Sequence, residues 1–279
     1  MSTAAIGIFD SGIGGLTVAR AIRDLLPRES TIYLGDTARV PYGPKSPETV
    51  RRYSREILDW LLGQDVKAVV VACNTATAHA LDDLRGRSPV PVIGVIAPGA
   101  RAAAAATTTG RVGVIGTAGT ISSGAYSRAL LRERADLRVI EQACPLFVPL
   151  VEEGWFEHPA TQLVAEEYLG SMRDAGVDAL VLGCTHYPML APLLGRIMGP
   201  SVRLIDSARE TARELARVIG AAGLEAPPDA SPVQRWIATD DAARFARVGS
   251  LFMGNAPAPV EVVELGTAEM SAERLEPNR

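Results

Sequence analysis

The sequence predicts an α/β protein of two pseudo-symmetric domains, with mainly parallel sheets flanked by helices and a site in the cleft between them. Short apolar runs alternate with segments of helical period along most of the 279 residues, which is typical of parallel α/β folds. The first half of this pattern recurs in the second. In each copy one cysteine, Cys73 or Cys184, directly follows an apolar run.

Ten apolar runs are predicted as strands, and four longer segments as helices. The strands are residues 6–9, 31–34, 66–72, 92–95, 112–115, 137–140, 178–182, 203–205, 236–238 and 260–263. The helices are residues 16–26, 47–62, 161–175 and 207–219. Ser46 and Pro47 mark the second helix start, because serine caps helices and proline suits their first turn. Residues 268–279 are predicted to be a loosely held tail.

The internal repeat aligns four strands of each half. The run beginning at Ile6 matches the run beginning at Val112, an offset of 106 residues, and the second strands keep this offset. Cys73 and Cys184 are offset by 111 residues, so one gap of about five residues aligns the later strands. Two copies of one α/β unit explain this pattern better than a solenoid, whose repeats are shorter and more numerous.

The composition excludes several classes of protein. The apolar content of 47% and charged content of 22% describe a soluble globular protein. A net charge of −4 indicates no nucleic-acid or membrane partner, and no apolar run is long enough for a membrane span. The N-terminus reads as a strand rather than a secretory leader. Three cysteines, with no CxxC pair, predict a reducing cytoplasm and neither disulfides nor a zinc site.

The two matched cysteines are the strongest candidates for chemistry. A parallel strand delivers the residue that follows it to the carboxyl edge of its sheet, where α/β proteins bind ligands. A lone cysteine there is by default a small buried hydrophobe, but the symmetric placement of Cys73 and Cys184 favours function. Two thiols facing one substrate could remove a proton from one side of a carbon and return one to the other. Cys144, His79 and His158 are interpreted as structural.

Polar residues gather at the same strand ends. Asp10 and Ser11 precede a glycine-rich turn that could hold a carboxylate at a helix N-terminus, although simple helix capping is an open alternative. His186 lies two residues beyond Cys184, and an acid or imidazole beside a thiol can tune its protonation. Further hydrogen-bond donors at these ends are Asn74, Thr75, Thr117, Thr120 and Thr185.

Seven motifs carry a resemblance to a known family. They are FDSGIGGL (9–16), PYG (41–43), ACNTA (72–76), GVIGT (113–117), SGAY (123–126), PLVEEG (149–154) and LGCTHYP (182–188). Together they resemble the glutamate racemases of the cofactor-independent aspartate/glutamate racemase superfamily. The resemblance covers most of the chain and is weak after about residue 220.

The resemblance implies an organisation and a set of roles. The C-terminal segment would complete the first domain, giving residues 1–96 with 208–279, and 97–207 as the second. Cys73 and Cys184 would transfer protons, assisted by Asp10, His186 and Glu152. The substrate contacts would be Asp10, Ser11, Tyr42, Gly43, Asn74, Thr75, Thr117, Thr120, Thr185 and His186. The product, D-glutamate, would supply peptidoglycan synthesis in a bacterial cytoplasm, with no cofactor.

The residues alone support the same mechanism less specifically. Lys45 and Lys67, the two lysines, do not lie in a pyridoxal-phosphate context, so an α-proton would have to be removed with help from hydrogen-bond donors and exclusion of water. Spacing leaves open a racemase of aspartate or another small acid. A non-catalytic protein that closes on a small anion is a less favoured alternative. The oligomeric state is also open, with a homodimer as one arrangement.

Overall fold

The computed structural model describes residues 1–266. The strands are β1 (Ala5–Asp10), β2 (Thr31–Gly35), β3 (Val66–Val71), β4 (Val92–Gly94), β5 (Arg111–Gly116), β6 (Arg138–Ala143), β7 (Ala179–Gly183), β8 (Arg203–Asp206), β9 (Gln234–Ala238) and β10 (Val260–Val262). The helices are α1 (Leu16–Leu25), α2 (Pro47–Leu62), α3 (Asn74–Arg87), α4 (Ile96–Ala106), α5 (Ala118–Ser122), α6 (Ala125–Glu133), α7 (Phe147–Glu152), α8 (Pro159–Asp174), α9 (Ala191–Met198), α10 (Ser207–Ala221) and α11 (Ala242–Met253), with a 3₁₀ helix at Tyr187–Leu190.

Two parallel sheets confirm the predicted α/β class. One contains six strands in the order β10-β9-β2-β1-β3-β4, and the other contains four in the order β6-β5-β7-β8. Each predicted strand coincides with an observed one, with ends that agree within three residues. The predicted tail at residues 268–279 lies outside the described part of the chain.

The internal duplication is visible in the strand orders. β2-β1-β3-β4 in the first sheet corresponds to β6-β5-β7-β8 in the second. Within this correspondence β3 is equivalent to β7, and both are completely buried. Parallel strands covered on both faces are expected to be almost continuously apolar, which is why both runs were recognisable in the sequence. The carboxyl end of β3 leads to Cys73 and that of β7 to Cys184.

Buried charge occurs in β3 only as part of a pair. Lys67 is 4% exposed, and its Nζ lies 2.5 Å from Oε2 of the equally buried Glu29. The same ammonium donates to the carbonyl of Ser2 at 2.9 Å. A buried cation is tolerated when it is paired and hydrogen-bonded, and both conditions are met at Lys67.

The C-terminal segment adds to the first sheet. β9 pairs with β2 and β10 pairs with β9. Helix α11 packs against α1, and the ring of Phe245 lies 5.9 Å from that of Tyr33. The domain boundaries predicted at residues 96/97 and 207/208 stay a prediction.

Within residues 1–266, none of the helices has both the length and the apolar character that crossing a membrane requires.

Candidate active site

One loop links the surroundings of the two cysteines. The turn between β1 and α1 carries Ser11, whose Oγ lies 3.6 Å from the Sγ of Cys73. The same turn carries Gly14, where an added Cβ would lie 2.4 Å from both His186 and Thr185. The residues next to Cys184 therefore lie against the turn that contacts Cys73. The two cysteines are 5% and 6% exposed, so bulk water is largely excluded from both.

Cys73 is the N-cap of helix α3, and its thiol is protonated at neutral pH. Its Sγ accepts the backbone N–H of Ala76 at 3.4 Å, the geometry of a helix cap. A helix N-terminus ordinarily favours a thiolate. Here burial, reinforced by the charge of Asp10, outweighs the cap and raises the pKa of Cys73 to about 12. Cys73 is thus suited to donating a proton, and becomes a strong base once it has lost one.

Cys184 has a different partner, the imidazole of His186. The Sγ of Cys184 lies 3.8 Å from Nδ1 of His186, and Nε2 of His186 lies 3.2 Å from Oε1 of Glu152. Burial lowers the pKa of His186, but hydrogen bonds to Cys184 and Glu152 outweigh it and raise the value to about 10. An imidazolium beside Cys184 stabilises negative charge on its sulfur.

Glu152 is held from both sides. Burial acts to raise its pKa, but the contacts with His186 and with Arg244 dominate and lower it. The Nη2 of Arg244 donates to Oε2 of Glu152 at 2.8 Å. Cys184, His186, Glu152 and Arg244 thus form one chain of contacts. Nothing in the sequence pattern pointed to Arg244, which is 92 residues from Glu152.

Asp10 is a buried carboxyl group with one oxygen occupied. Its Oδ2 accepts the N–H of Gly12 at 3.0 Å, whereas Oδ1 has no partner among the described residues. Burial raises the pKa of Asp10 above its usual value, while the charge of His186 acts in the opposite direction. Buried polar atoms usually have a hydrogen-bond partner, so Oδ1 of Asp10 retains the capacity to accept one more hydrogen bond.

Asn74 presents a second polar atom of this kind. Its Oδ1 accepts the hydroxyl of Tyr126 at 2.7 Å, which fixes the orientation of the amide. Its Nδ2 is buried and lacks a partner among residues 1–266. The amide N–H groups can therefore bind an anionic oxygen. Tyr126 belongs to a motif recognised in the sequence, but its role in orienting Asn74 was not predicted.

Three threonine hydroxyls from both halves form the threonine cluster, Thr75, Thr117 and Thr120. The Oγ1 atoms of Thr75 and Thr117 are 2.9 Å apart, and Thr120 lies 3.2 Å from Thr75 and 3.0 Å from Thr117. Each hydroxyl can donate one hydrogen bond and accept others. Rotation of these hydroxyls would let the cluster donate to a carboxylate placed between the halves.

The Tyr42–Gly43 segment reaches the cleft through its backbone. The Tyr42 hydroxyl donates to Asp36, a fully buried carboxylate that also accepts Nε of Arg39 at 2.7 Å. The carbonyl of Gly43 accepts the N–H of Gly119 at 2.9 Å. Because the Tyr42 hydroxyl is already bonded to Asp36, a ligand contact at this predicted pair would use backbone groups. The anchoring role of Asp36 was missed in the sequence.

The three residues interpreted as structural, Cys144, His158 and His79, make packing, capping and backbone contacts. Cys144 is fully buried in a hydrophobic cluster. His158 caps α8 and stacks on Trp155 at 4.2 Å. Nε2 of His79 lies 3.0 Å from the carbonyl of Gly119. Among residues 1–266, no group of histidine, cysteine and carboxylate side chains could hold a metal ion.

Comparison with known proteins identifies the family of this chain. Residues 16–215 match the sequence model of the Asp/Glu/Hydantoin racemase family. The chain belongs to this family. It is 54% identical to a glutamate racemase of Geobacter metallireducens, over 94% of this chain and 97% of the relative.

Solved structures of racemases agree with this membership. Glutamate racemase RacE1 of Bacillus anthracis superimposes with a TM-score of 0.91 at 39% identity, covering 95% of this chain and 98% of that one. A glutamate racemase of Francisella tularensis in complex with D-glutamate gives a TM-score of 0.89 at 36% identity, with 95% and 98% coverage. The resemblance stated from the motifs is confirmed.

Proposed function

We propose that the protein interconverts L-glutamate and D-glutamate by a cofactor-independent, two-cysteine proton transfer. The observation that supports this most directly is the meeting of the Cys73 and Cys184 surroundings at one buried turn, through Ser11 and Gly14. The similarity to glutamate racemases over almost the whole chain supports glutamate as the substrate.

In this mechanism one sulfur removes the α-proton while the opposite thiol delivers one. Cys184, beside the His186 cation, is the proposed base toward L-glutamate, and Cys73 is then the acid. After turnover the protonation states are reversed, so the enzyme is ready for D-glutamate. Asp10 is the proposed partner of Cys73, and Glu152 supports His186.

The proton of an α-carbon is a very weak acid, so the developing negative charge needs stabilisation. Fixed hydrogen-bond donors in a site that excludes water supply it most effectively. The proposed donors are the amide of Asn74 and the threonine cluster at one carboxylate. Ser11, Gly43, Thr185 and His186 are the proposed contacts to the rest of the substrate, together with Tyr42 through its backbone.

The biological setting follows from the product. D-Glutamate would supply peptidoglycan synthesis, in the cytoplasm, by a chain with a first domain of residues 1–96 and 208–279 and a second of residues 97–207. A homodimer is the assembly we would test first, by light scattering. A racemase of aspartate or another small acid is the nearer alternative, and a non-catalytic anion-binding protein the more distant one.

Incubation of the purified protein with L-glutamate, without added cofactor, tests the proposal. We expect D-glutamate to accumulate to a near-equimolar mixture, measured by chiral chromatography, and L-aspartate to react far more slowly. Preferential racemisation of aspartate would favour the first alternative. Binding of glutamate without racemisation would favour the second and contradict the proposal.

A further inference from the structure

Arg244 is the member of the Cys184 contact chain that no motif accounts for. It extends from α11, in the C-terminal segment that joins the first sheet, to Glu152 at the end of α7. The Glu152 carboxylate is thereby shared, with Oε1 toward His186 and Oε2 toward Arg244. Glu152 is 16% exposed and Arg244 43%, so the contact lies where the buried chain meets the surface.

The start of α11 is built to hold Arg244 in this place. The Asp241 side chain accepts the backbone N–H of Arg244 at 2.8 Å, and Asp241 adopts a left-handed conformation with φ of 44°. The preceding residues are tied to the first sheet, since Thr239 donates to Asp36 at 2.9 Å. Non-glycine residues adopt such a conformation only where their surroundings impose it. The backbone at Arg244 is therefore well fixed.

The charge of Arg244 is unfavourable for the helix itself. The first turn of a helix carries partial positive charge and favours acidic side chains, while cations favour the last turn. Arg244 is the third residue of α11. Helix stability thus does not explain a cation at this position, whereas a partner carboxylate on the other half of the molecule does.

Helix α11 also contacts His186, the hydrogen-bond partner of Glu152. The ring of Phe252 meets the imidazole of His186 edge to face, with centroids 5.4 Å apart. Helix α11 thus contacts Glu152 through Arg244 and His186 through Phe252. The two contacts restrain both ends of the His186–Glu152 hydrogen bond.

We propose that Arg244 is a positioning residue that holds Glu152, and through it the imidazole of His186, against Cys184. The inference rests on the proposed function, because the positioned group serves proton transfer at Cys184. Arg244 itself touches neither the sulfur nor the substrate in this scheme. Its loss should therefore impair the steps that use Cys184 as the base more than those that use Cys73.

The central experiment compares Arg244→Gln with the parent in both directions. We expect the turnover number from L-glutamate to fall about tenfold, less than the roughly 10²–10⁴-fold contribution of direct acid–base assistance. The turnover number from D-glutamate should fall less than threefold. Arg244→Lys should retain most of the parent's turnover number, because a single N–H contact joins Arg244 to Glu152. Arg247→Gln, an exposed arginine on the same helix, is the matched control and should match the parent.

The pH profile separates positioning from structural support. Arg244 helps to lower the pKa of Glu152, so its removal should raise that pKa. In Arg244→Gln, the acidic limb of the plot of L-to-D turnover number against pH should then move to higher pH. A variant that merely folded less well would lose amplitude at every pH without moving the limb.

A double variant tests whether Arg244 acts through Glu152. Adding Arg244→Gln to the Glu152→Gln variant should lower the turnover number from L-glutamate less than twofold further, because the carboxylate that Arg244 holds is already gone. A full tenfold further loss would overturn the proposal, as would equal losses in both directions with an unmoved acidic limb. An inactive parent would instead contradict the proposed function and, with it, this inference; unequal behaviour of the variants of an active parent concerns this inference alone, so the two failures are distinct.

Discussion

The Nδ1 of His186 lies 3.8 Å from the Sγ of Cys184. Among residues 1–266, no imidazole hydrogen-bonds to the equivalent Cys73; its sulfur contacts the hydroxyl of Ser11 at 3.6 Å. The duplicated fold thus places two similar thiols in dissimilar electrostatic surroundings. We expect the two directions of the proposed reaction to depend on different neighbours.

Replacement of either cysteine should abolish racemisation. In Cys73→Ala or Cys184→Ala one face of the substrate carbon has no acid or base, and every turnover needs both. We expect turnover to fall by about 10⁴-fold or more, at or above the upper end of the roughly 10²–10⁴-fold contribution of a single assisting group, with glutamate binding retained in calorimetry. Cys144→Ala, which alters a buried thiol outside the proposed mechanism, should keep its activity. Racemisation within tenfold of the parent in either single variant would refute the two-thiol mechanism.

Asp10 and His186 should affect opposite directions. His186→Asn should lower the L-to-D turnover number more than the D-to-L one, because His186 supports Cys184. Asp10→Asn should do the reverse, through Cys73. The equilibrium constant stays near one, so the Michaelis constants must change to compensate, and both must be measured. Equal losses in both directions for both variants would assign these residues to binding or structure.

Stability should depend on pH through His186. Its pKa is raised from 6.5 to about 10 in the folded protein, so the folded state binds this proton more tightly than the unfolded one. The resulting stabilisation is complete below pH 6.5 and is lost as pH rises toward 10. The melting temperature of the parent should exceed that of His186→Asn by less and less as pH rises across this range. An advantage that stayed constant from pH 6 to 10 would show that His186 is not protonated in the folded state.

Gly14 should tolerate no side chain. Its Cβ would lie 2.4 Å from the His186 ring and the Thr185 hydroxyl, and the turn would have to move away from Cys184. Because small displacements of reacting groups can cost about 10²-fold, we expect Gly14→Ala to lose at least that much activity. Gly170→Ala is the matched control, since in residues 1–266 nothing beyond its chain neighbours and its own helix backbone lies within 4 Å of the added Cβ, and alanine favours a helix by roughly 0.5–1 kcal/mol. Full activity in Gly14→Ala would argue against the close contact.

The fold was largely predictable, because buried parallel strands have a strong local signal. The run before Cys73 is apolar on both faces, and its repetition before Cys184 identified the equivalent strand. The contacts of Arg244 with Glu152 and of Tyr126 with Asn74 join residues 92 and 52 positions apart. Such contacts depend on how the elements pack, and no local pattern encodes them.

Tyr42 illustrates the same limit within a recognised motif. The motif implied a residue at the substrate, but it did not indicate which atoms face the cleft. The hydroxyl is taken by Asp36, six residues earlier, and the carbonyl of the next residue, Gly43, is the group that contacts the second half of the molecule.

The late position of β9 in the chain has a consequence for protein synthesis. Until residues 234–238 leave the ribosome, β2 is the outermost strand of the first sheet and exposes its hydrogen-bonding groups along Thr31–Gly35. Exposed strand edges pair readily with other chains, and nascent multidomain proteins aggregate by this route. A chain truncated before residue 234 keeps Cys73 and Cys184 but leaves β2 uncovered, and it should therefore aggregate.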